Sequence, residues 1–182
     1  MDKKNIIYWN NYYVSKNNND KPSNFAKFIK KKYIKKTTKL LEVGAGDGRD
    51  TFYFQNKAKY IFAIDQSDVV INKNKLKAKR LNFRNIFFKK LSSNKLQTLK
   101  NKDVDIIYAR FFLHAINVTS ENKFLDIIKK NFKDNTIIAL EFRTTKDVLK
   151  KKGKKISLNE RLTDHYRRFI DINNFKKKLK KM

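Results

Sequence analysis

A chain of 182 residues suits one domain, long enough to bury roughly 70% of its unfolded surface. It has no cysteine, which excludes disulfides, zinc–thiolate sites and a cysteine nucleophile. The formal net charge of +28 fits either a polyanionic partner, nucleic acid or an anionic membrane surface, or a lysine- and asparagine-rich composition spread over solvated faces.

The opening MDKKNIIYWNNYYV lacks the apolar core of a signal peptide, and no apolar run reaches the roughly 20 residues of a membrane span. A cytoplasmic protein is expected. Residues 6–14 read as a short aromatic helix and 17–20 as a loop. Pro22 and Ser23 open a helix through about Tyr33, with Phe25, Phe28 and Ile29 on one face. Leu40 to Val43 predicts a buried strand that ends in a glycine-rich turn, followed by a helix at about 48–57. Tyr60 to Ile64 predicts a second strand closed by Asp65, and 68–80 a helix. Asn85 to Phe88 is a third, shorter strand, and Val104 to Ala109 a fourth. Residues 119–131 predict a helix with Thr119 or Ser120 as N-cap. Thr136 to Phe142 is a fifth strand, 143–168 reads as polar and irregular, and 171–180 as a final helix.

This alternation predicts an α/β fold, a mostly parallel sheet with helices on both faces. Continuous apolar runs such as VDIIYA and TIIALEF suit strands covered on both sides. One domain is expected: a helical lid at 1–36, a cofactor-binding core at 37–142, and a substrate loop with the last helix at 143–182.

Three features coincide at one sheet edge. Glu42-Val43-Gly44-Ala45-Gly46-Asp47-Gly48 leads a strand through glycines into a helix, letting bare backbone approach a ligand. Asp65, 23 positions after Glu42, ends the next strand, where a carboxylate can accept both hydroxyls of a ribose. The fourth strand, ending at Ala109 and Arg110, brings its C-terminal end to the same edge. A nicotinamide site usually shows G-x-G-x-x-G, whereas this chain has G-x-G-x-G with an acid two residues before the first glycine.

That pattern resembles motif I of class I S-adenosylmethionine-dependent methyltransferases. GAGDGRDTFYF, IFAIDQSD, VDIIYARFFLHAI and TDHYRRFI, with the leading YWNNYY and PSNFAKFI, resemble small bacterial methyltransferases associated with surface-glycan biosynthesis. The resemblance implies a Rossmann-like fold and S-adenosyl-L-methionine as cofactor. It implies cofactor contacts from Glu42, Gly44, Ala45, Gly46, Arg49, Asp65, Gln66, Ser67 and Ala109. The third strand of such proteins leads to an acid for the adenine. Here the stretch is KKLSSN, so Leu91 and Ser92 stand in its place. The full fold ends with two more strands in an antiparallel hairpin. The chain stops at Met182, so a C-terminal truncation is expected, with about five strands and the hairpin lacking. A homodimer through the open edge follows from that expectation.

Five of the eight arginines fall at pocket positions: Arg49, Arg110, Arg143, Arg167 and Arg168. Guanidinium groups grip phosphate or carboxylate bidentately, so a small anionic acceptor is expected, a phosphorylated or carboxylated sugar or headgroup. His114 and His165 are candidate general bases or structural histidines, with Arg110 beside the reacting methyl group. Tyr8, Trp9, Tyr12 and Tyr13 are candidates for a lid over the sulfonium and substrate, or for an amphipathic helix that only packs on the domain, and Tyr166 lies in the segment expected to fold over the pocket. Two alternatives stand beside this reading: a nucleic-acid methyltransferase or basic nucleic-acid-binding protein, and a cofactor-binding protein without catalysis. No metal site is expected.

Overall fold

Strands β1 (Lys39–Val43), β2 (Tyr60–Asp65), β3 (Ile86–Lys90), β4 (Ile106–Arg110) and β5 (Ile137–Glu141) form one sheet. Their order is β3-β2-β1-β4-β5, and every neighbouring pair is parallel. This is a computed structural model; it describes residues 3–15, 21–99 and 103–180, and the loop expected at 17–20 lies outside them.

Successive side chains of a strand point to opposite faces, and here both faces are apolar. Leu40, Ile61, Ile106 and Tyr108 pack with α2 (Asn24–Lys32), α3 (Arg49–Phe54) and α4 (Asp68–Arg80) through Ala26, Ile29, Phe54 and Ile71. Leu41, Val43, Ile107 and Ala109 pack with α5 (Val118–Asn131) and α6 (Ile172–Leu179) through Phe124, Leu125, Ile128 and Phe175. The first helix, α1 (Lys3–Ser15), lies against α4. Helix starts follow capping chemistry: Ser23, Ser67 and Asp171 accept from the backbone N–H three residues on. The cap of α5 is Asn117, whose side chain accepts from Ser120 N at 2.8 Å, and not Thr119 or Ser120. Thr119 and Ser120 are already inside the first turn.

The C-terminal expectation is overturned. Residues 143–168 are not irregular, and the chain does not lack antiparallel strands. After a short 3-10 turn at Val148–Lys151 come β6 (Lys154–Ser157), β7 (Glu160–Leu162) and β8 (Tyr166–Arg168), a second sheet in the order β6-β7-β8. The strand pattern was invisible because all four residues of β6 are exposed, so no burial alternation marks it. Just past the C-terminal end of β5 the chain meets its own return. Ile170 N donates to Arg143 O at 2.9 Å and Thr145 N to Ile170 O at 3.1 Å. Phe142 meets Phe175 of α6 edge-on at 5.1 Å.

Candidate functional site

Register decides what meets at the sheet's C-terminal edge. Val43 pairs with Ile64, so the next residues along, Gly44 and Asp65, stand side by side. Glu42 pairs with Tyr108, so two residues further on each strand come Gly44 and Arg110. Strand order reverses between β1 and β4, the position where open α/β sheets bind ligands. A cavity of about 300 Å3 opens there.

Gly44 and Gly46 both have positive φ, 74° and 52°. Gly44 N and Ala45 N donate to Ile64 O at 2.9 and 3.0 Å, which bends the chain back over β2. A Cβ on Gly46 would lie 2.5 Å from the Tyr13 hydroxyl of α1, so only bare backbone fits beneath that ring. Asp65 accepts from Gly46 N at 3.1 Å through Oδ2 and from Ser67 N at 2.9 Å through Oδ1. Burial raises its pKa, and the amides of Ser67, Gly46 and Gln66 oppose that rise.

The cavity wall holds Glu42, Gly44, Ala45, Gly46, Arg49, Asp65, Gln66, Leu91, Ser92, Arg110, Tyr12 and Tyr13 of the residues singled out in the sequence. Ser67 and Ala109 are not in it. Ser67 is fully buried as the cap of α4, and Ala109 points into the core beneath α5. Trp9 of α1 joins Tyr12 and Tyr13 as an aromatic roof.

Sequence reasoning missed two supports. Asp50 is buried and accepts three hydrogen bonds at 2.8 Å, from Ser23 N, Ser23 Oγ and Tyr108 Oη. It ties the start of α2 to the start of α3 and to β4. Asn74 is buried and donates to Gly46 O at 2.8 Å, holding the glycine turn from α4. The signal was a polar residue on the buried stripe of Val70, Ile71, Asn74 and Ala78.

Four carboxylates, Glu42, Asp47, Asp50 and Asp65, line this one cavity in a chain with 17 acids and a net charge of +28. Glu42 is 3% exposed and accepts from Thr51 Oγ1 at 2.5 Å. Burial, then the charge of Asp50, pushes its pKa well up.

A family model described as a methyltransferase domain matches residues 34–181. The chain belongs to this family. Its cofactor is S-adenosylmethionine, and the cavity holds groups whose chemistry suits that molecule: bare glycine backbone, a carboxylate at the end of β2 able to accept from hydroxyls, and further acids able to face a cation. No curated protein matches the chain. Among solved structures, the YcgJ protein of Bacillus subtilis is 15% identical with a TM-score of 0.67, covering 86% of this chain and 66% of its own. Phosphoethanolamine N-methyltransferase 1 of Haemonchus contortus is 15% identical with a TM-score of 0.74 over 97% of this chain, a span that takes in the antiparallel sheet, and 39% of its own. A methyltransferase from Aquifex aeolicus is 22% identical with a TM-score of 0.62, covering 85% of this chain and 78% of its own. The chain thus spans less than two thirds of the first two. These likenesses show the fold: a Rossmann-like five-strand parallel sheet followed by a three-strand antiparallel sheet. Among the described residues no helix is long and apolar enough to cross a membrane.

The arginines of this methyltransferase domain are mostly compensated. Arg110 pairs with Glu141, its direct neighbour across β4 and β5. Arg143 pairs with Asp147 at 2.7 Å, Arg167 with Asp164 at 2.6 Å, and Arg168 with buried Glu121. Of the five, Arg49 and Arg110 line the cavity. Tyr166 donates to Glu160, away from it.

Neither histidine lines the cavity. His114 is 5% exposed, edge-on to Phe111 at 5.3 Å, and its Nδ1 has no hydrogen-bond partner among the described residues. Burial and the nearby Arg143 push its pKa down to about 3. His165 is sandwiched with Tyr8 and Trp9 at 4.6 and 4.9 Å. Its Nδ1 lies 3.2 Å from Asp164 but out of line for a hydrogen bond, and burial lowers its pKa too. Tyr8 donates to the same Asp164 at 2.6 Å, so this group anchors α1.

A pH prediction follows. His114 stays neutral in the folded protein while the unfolded chain protonates it below about pH 6.5. The unfolded state then binds the extra proton, so His114 lowers stability as pH falls from about 6.5 toward its folded value of about 3. The slope from this residue is about 1.4 kcal/mol per pH unit. Urea unfolding at pH 7 and pH 5 should show a shallower loss in His114→Phe than in the wild type. Equal losses in the two proteins refute it.

Proposed function

We propose that the chain transfers the methyl group of S-adenosylmethionine to a small acceptor bearing a phosphate or carboxylate. The position of Arg110 carries this reading. It stands in the cavity wall, two residues past the Glu42–Tyr108 pair, held among the described residues by Glu141. The phosphorylated or carboxylated sugars suggested by the glycan-associated resemblance are acceptors of this kind. The Haemonchus contortus enzyme was solved with phosphoethanolamine, so a fold of this shape can house a small phosphate ester. The reading includes a cytoplasmic setting, where the cofactor is made.

When bound, the cofactor supplies an electrophilic methyl carbon on a positively charged sulfur. The chain's own residues then position the reactants, which is where much of the rate of a direct displacement arises. With the Glu42 carboxyl pushed toward its neutral form by burial, Asp47, Asp50 and Asp65 would offset the sulfonium charge. Asp65 and the turn at 44–46 hold the nucleoside and its tail. Arg110 exchanges Glu141 for the acceptor's anion and so aims the nucleophile. Phe111 beside it has φ 52°, a left-handed conformation rare for a bulky residue, and both the Arg110 and Arg143 guanidinium groups pack on its ring, at 4.2 and 5.1 Å from its centre. That arrangement fixes the direction of both arginines. With a pKa near 3, His114 is a weak base, so positioning serves better than a histidine general base. A nucleic-acid acceptor is the reading that the net charge invites. The roof of Trp9, Tyr12 and Tyr13 favours a small one.

The test is turnover, read as S-adenosylhomocysteine release, with a panel of small phosphates, carboxylates and neutral analogues. Arg110→Lys should cut turnover of the best anionic acceptor by about tenfold or more, through loss of bidentate contact. Its affinity for S-adenosylhomocysteine should stay within about twofold of the wild type. Neutral analogues that turn over as well as the anions, or full activity in the variant, overturn the proposal.

A further inference from the structure

One basic stretch of the described chain also carries its most exposed aliphatic side chains. From Val148 to Asn159 there are five lysines, Lys150, Lys151, Lys152, Lys154 and Lys155, and no acid. Among the described residues none of the five is in an ion pair. Val148 is 74% exposed, Leu158 73% and Ile156 52%. Lys154 stands directly across from Leu162, itself exposed, so cation and aliphatic share a face of the hairpin. Leu158 and exposed Val118 line one groove beside α6, whose wall also holds the acids Glu121, Glu160 and Asp171.

This segment is a built structure. Arg161 braces it from within: Nε donates to Lys150 O at 2.7 Å, and Nη1 to Ser157 O and Glu160 O at 2.8 Å. Gly153 has φ 77°, and a Cβ there would lie 2.6 Å from Leu162 O and from Thr163 Cγ2. The turn is therefore closed tightly against β7, with its lysines directed to solvent. β6 is also the outer strand of its sheet. Lysines on an edge strand discourage pairing with other strands, but that role does not call for three exposed aliphatics among them.

We infer that the segment from Val148 to Leu162 docks on an anionic lipid surface. Lysines near such a surface are attracted by its negative potential, and aliphatic side chains between them enter the headgroup region. Nucleic acid would use the charge but has no use for Val148, Ile156 and Leu158, and the segment offers no aromatic ring on which a base can stack. The inference is independent of the methyl acceptor.

The experiment is flotation of the full chain with vesicles of phosphatidylcholine alone and of phosphatidylcholine mixed with phosphatidylglycerol. Binding is expected to the mixed vesicles only, weakening as salt rises. The double variant Lys154→Ser, Lys155→Ser should lower vesicle affinity by about 25-fold. Ile156→Ser, Leu158→Ser should lower it by roughly tenfold or more, a loss that charge alone does not explain. Both variants should keep the wild-type melting temperature and affinity for S-adenosylhomocysteine, because these side chains face solvent. The inference falls if mixed vesicles do not bind, or if either variant binds them as the wild type does.

Discussion

Replacing Asp65 with alanine should weaken S-adenosylhomocysteine binding by about a hundredfold to a thousandfold, as measured by calorimetry. Each carboxylate oxygen carries two lone pairs. Oδ2 spends one on Gly46 N–H and Oδ1 one on Ser67 N–H, with Gln66 N–H close by. Acceptor capacity is left on the cavity side for ribose hydroxyls. Each hydrogen bond to a charged group contributes about 1.5–3 kcal/mol, so losing two gives the stated range at its lower end. The same change removes the acceptor for Gly46 N–H and loosens the turn under the cofactor's tail. Asp65→Asn keeps the shape and one acceptor oxygen, and should cost about tenfold. An alanine variant with unchanged affinity would remove Asp65 from the binding site and, with it, the argument from the β1–β2 register.

The second large effect concerns stability. Arg168→Ala should destabilise the fold by about 3–5 kcal/mol in denaturant unfolding. Arg168 is 7% exposed, donates to Leu113 O at 3.2 Å and Ile116 O at 3.1 Å, and pairs with Glu121, which is 1% exposed. Its removal leaves a buried carboxylate with Lys178 as its remaining described ion-pair partner, and two carbonyls without this donor. The pair with Glu121→Leu added should recover part of the loss, since it avoids burying a lone charge while the two carbonyls stay without their donor. The sequence reading placed Arg168 on the substrate. A variant that unfolds like the wild type but loses turnover would return it there.

The fold core was legible because its signals are local. The glycine run after Val43 and the acid at 65 are separated by one βαβ unit, and the apolar strands 40–43, 60–64 and 104–109 each fill both faces of a sheet. The antiparallel sheet was not legible. β6 is lysine-rich and exposed throughout, and β7 and β8 are three residues each, too short for periodicity to show. The candidate site divides in the same way. The turn at 44–46 and Asp65 are near neighbours through one strand pairing, whereas Asn74 supports that turn from a helix whose facing only packing defines.

By itself the sequence determined the strand–turn–helix with its glycines, the acid one unit later, and the family they imply, because these depend on spacing along the chain. The tertiary structure alone decided which charges are spent. Glu141, Asp147, Asp164 and Glu121 reach the arginines from other elements or across a turn, and no residue type announces its partner. It also decided what holds the expected lid helix, α1, over the cavity. Asn5 on Ala115 O, Tyr8 on Asp164 and Lys73 on Tyr13 O hold that helix down, and each contact joins residues more than fifty positions apart. Such pairings follow from how the chain folds back on itself, which local pattern does not encode.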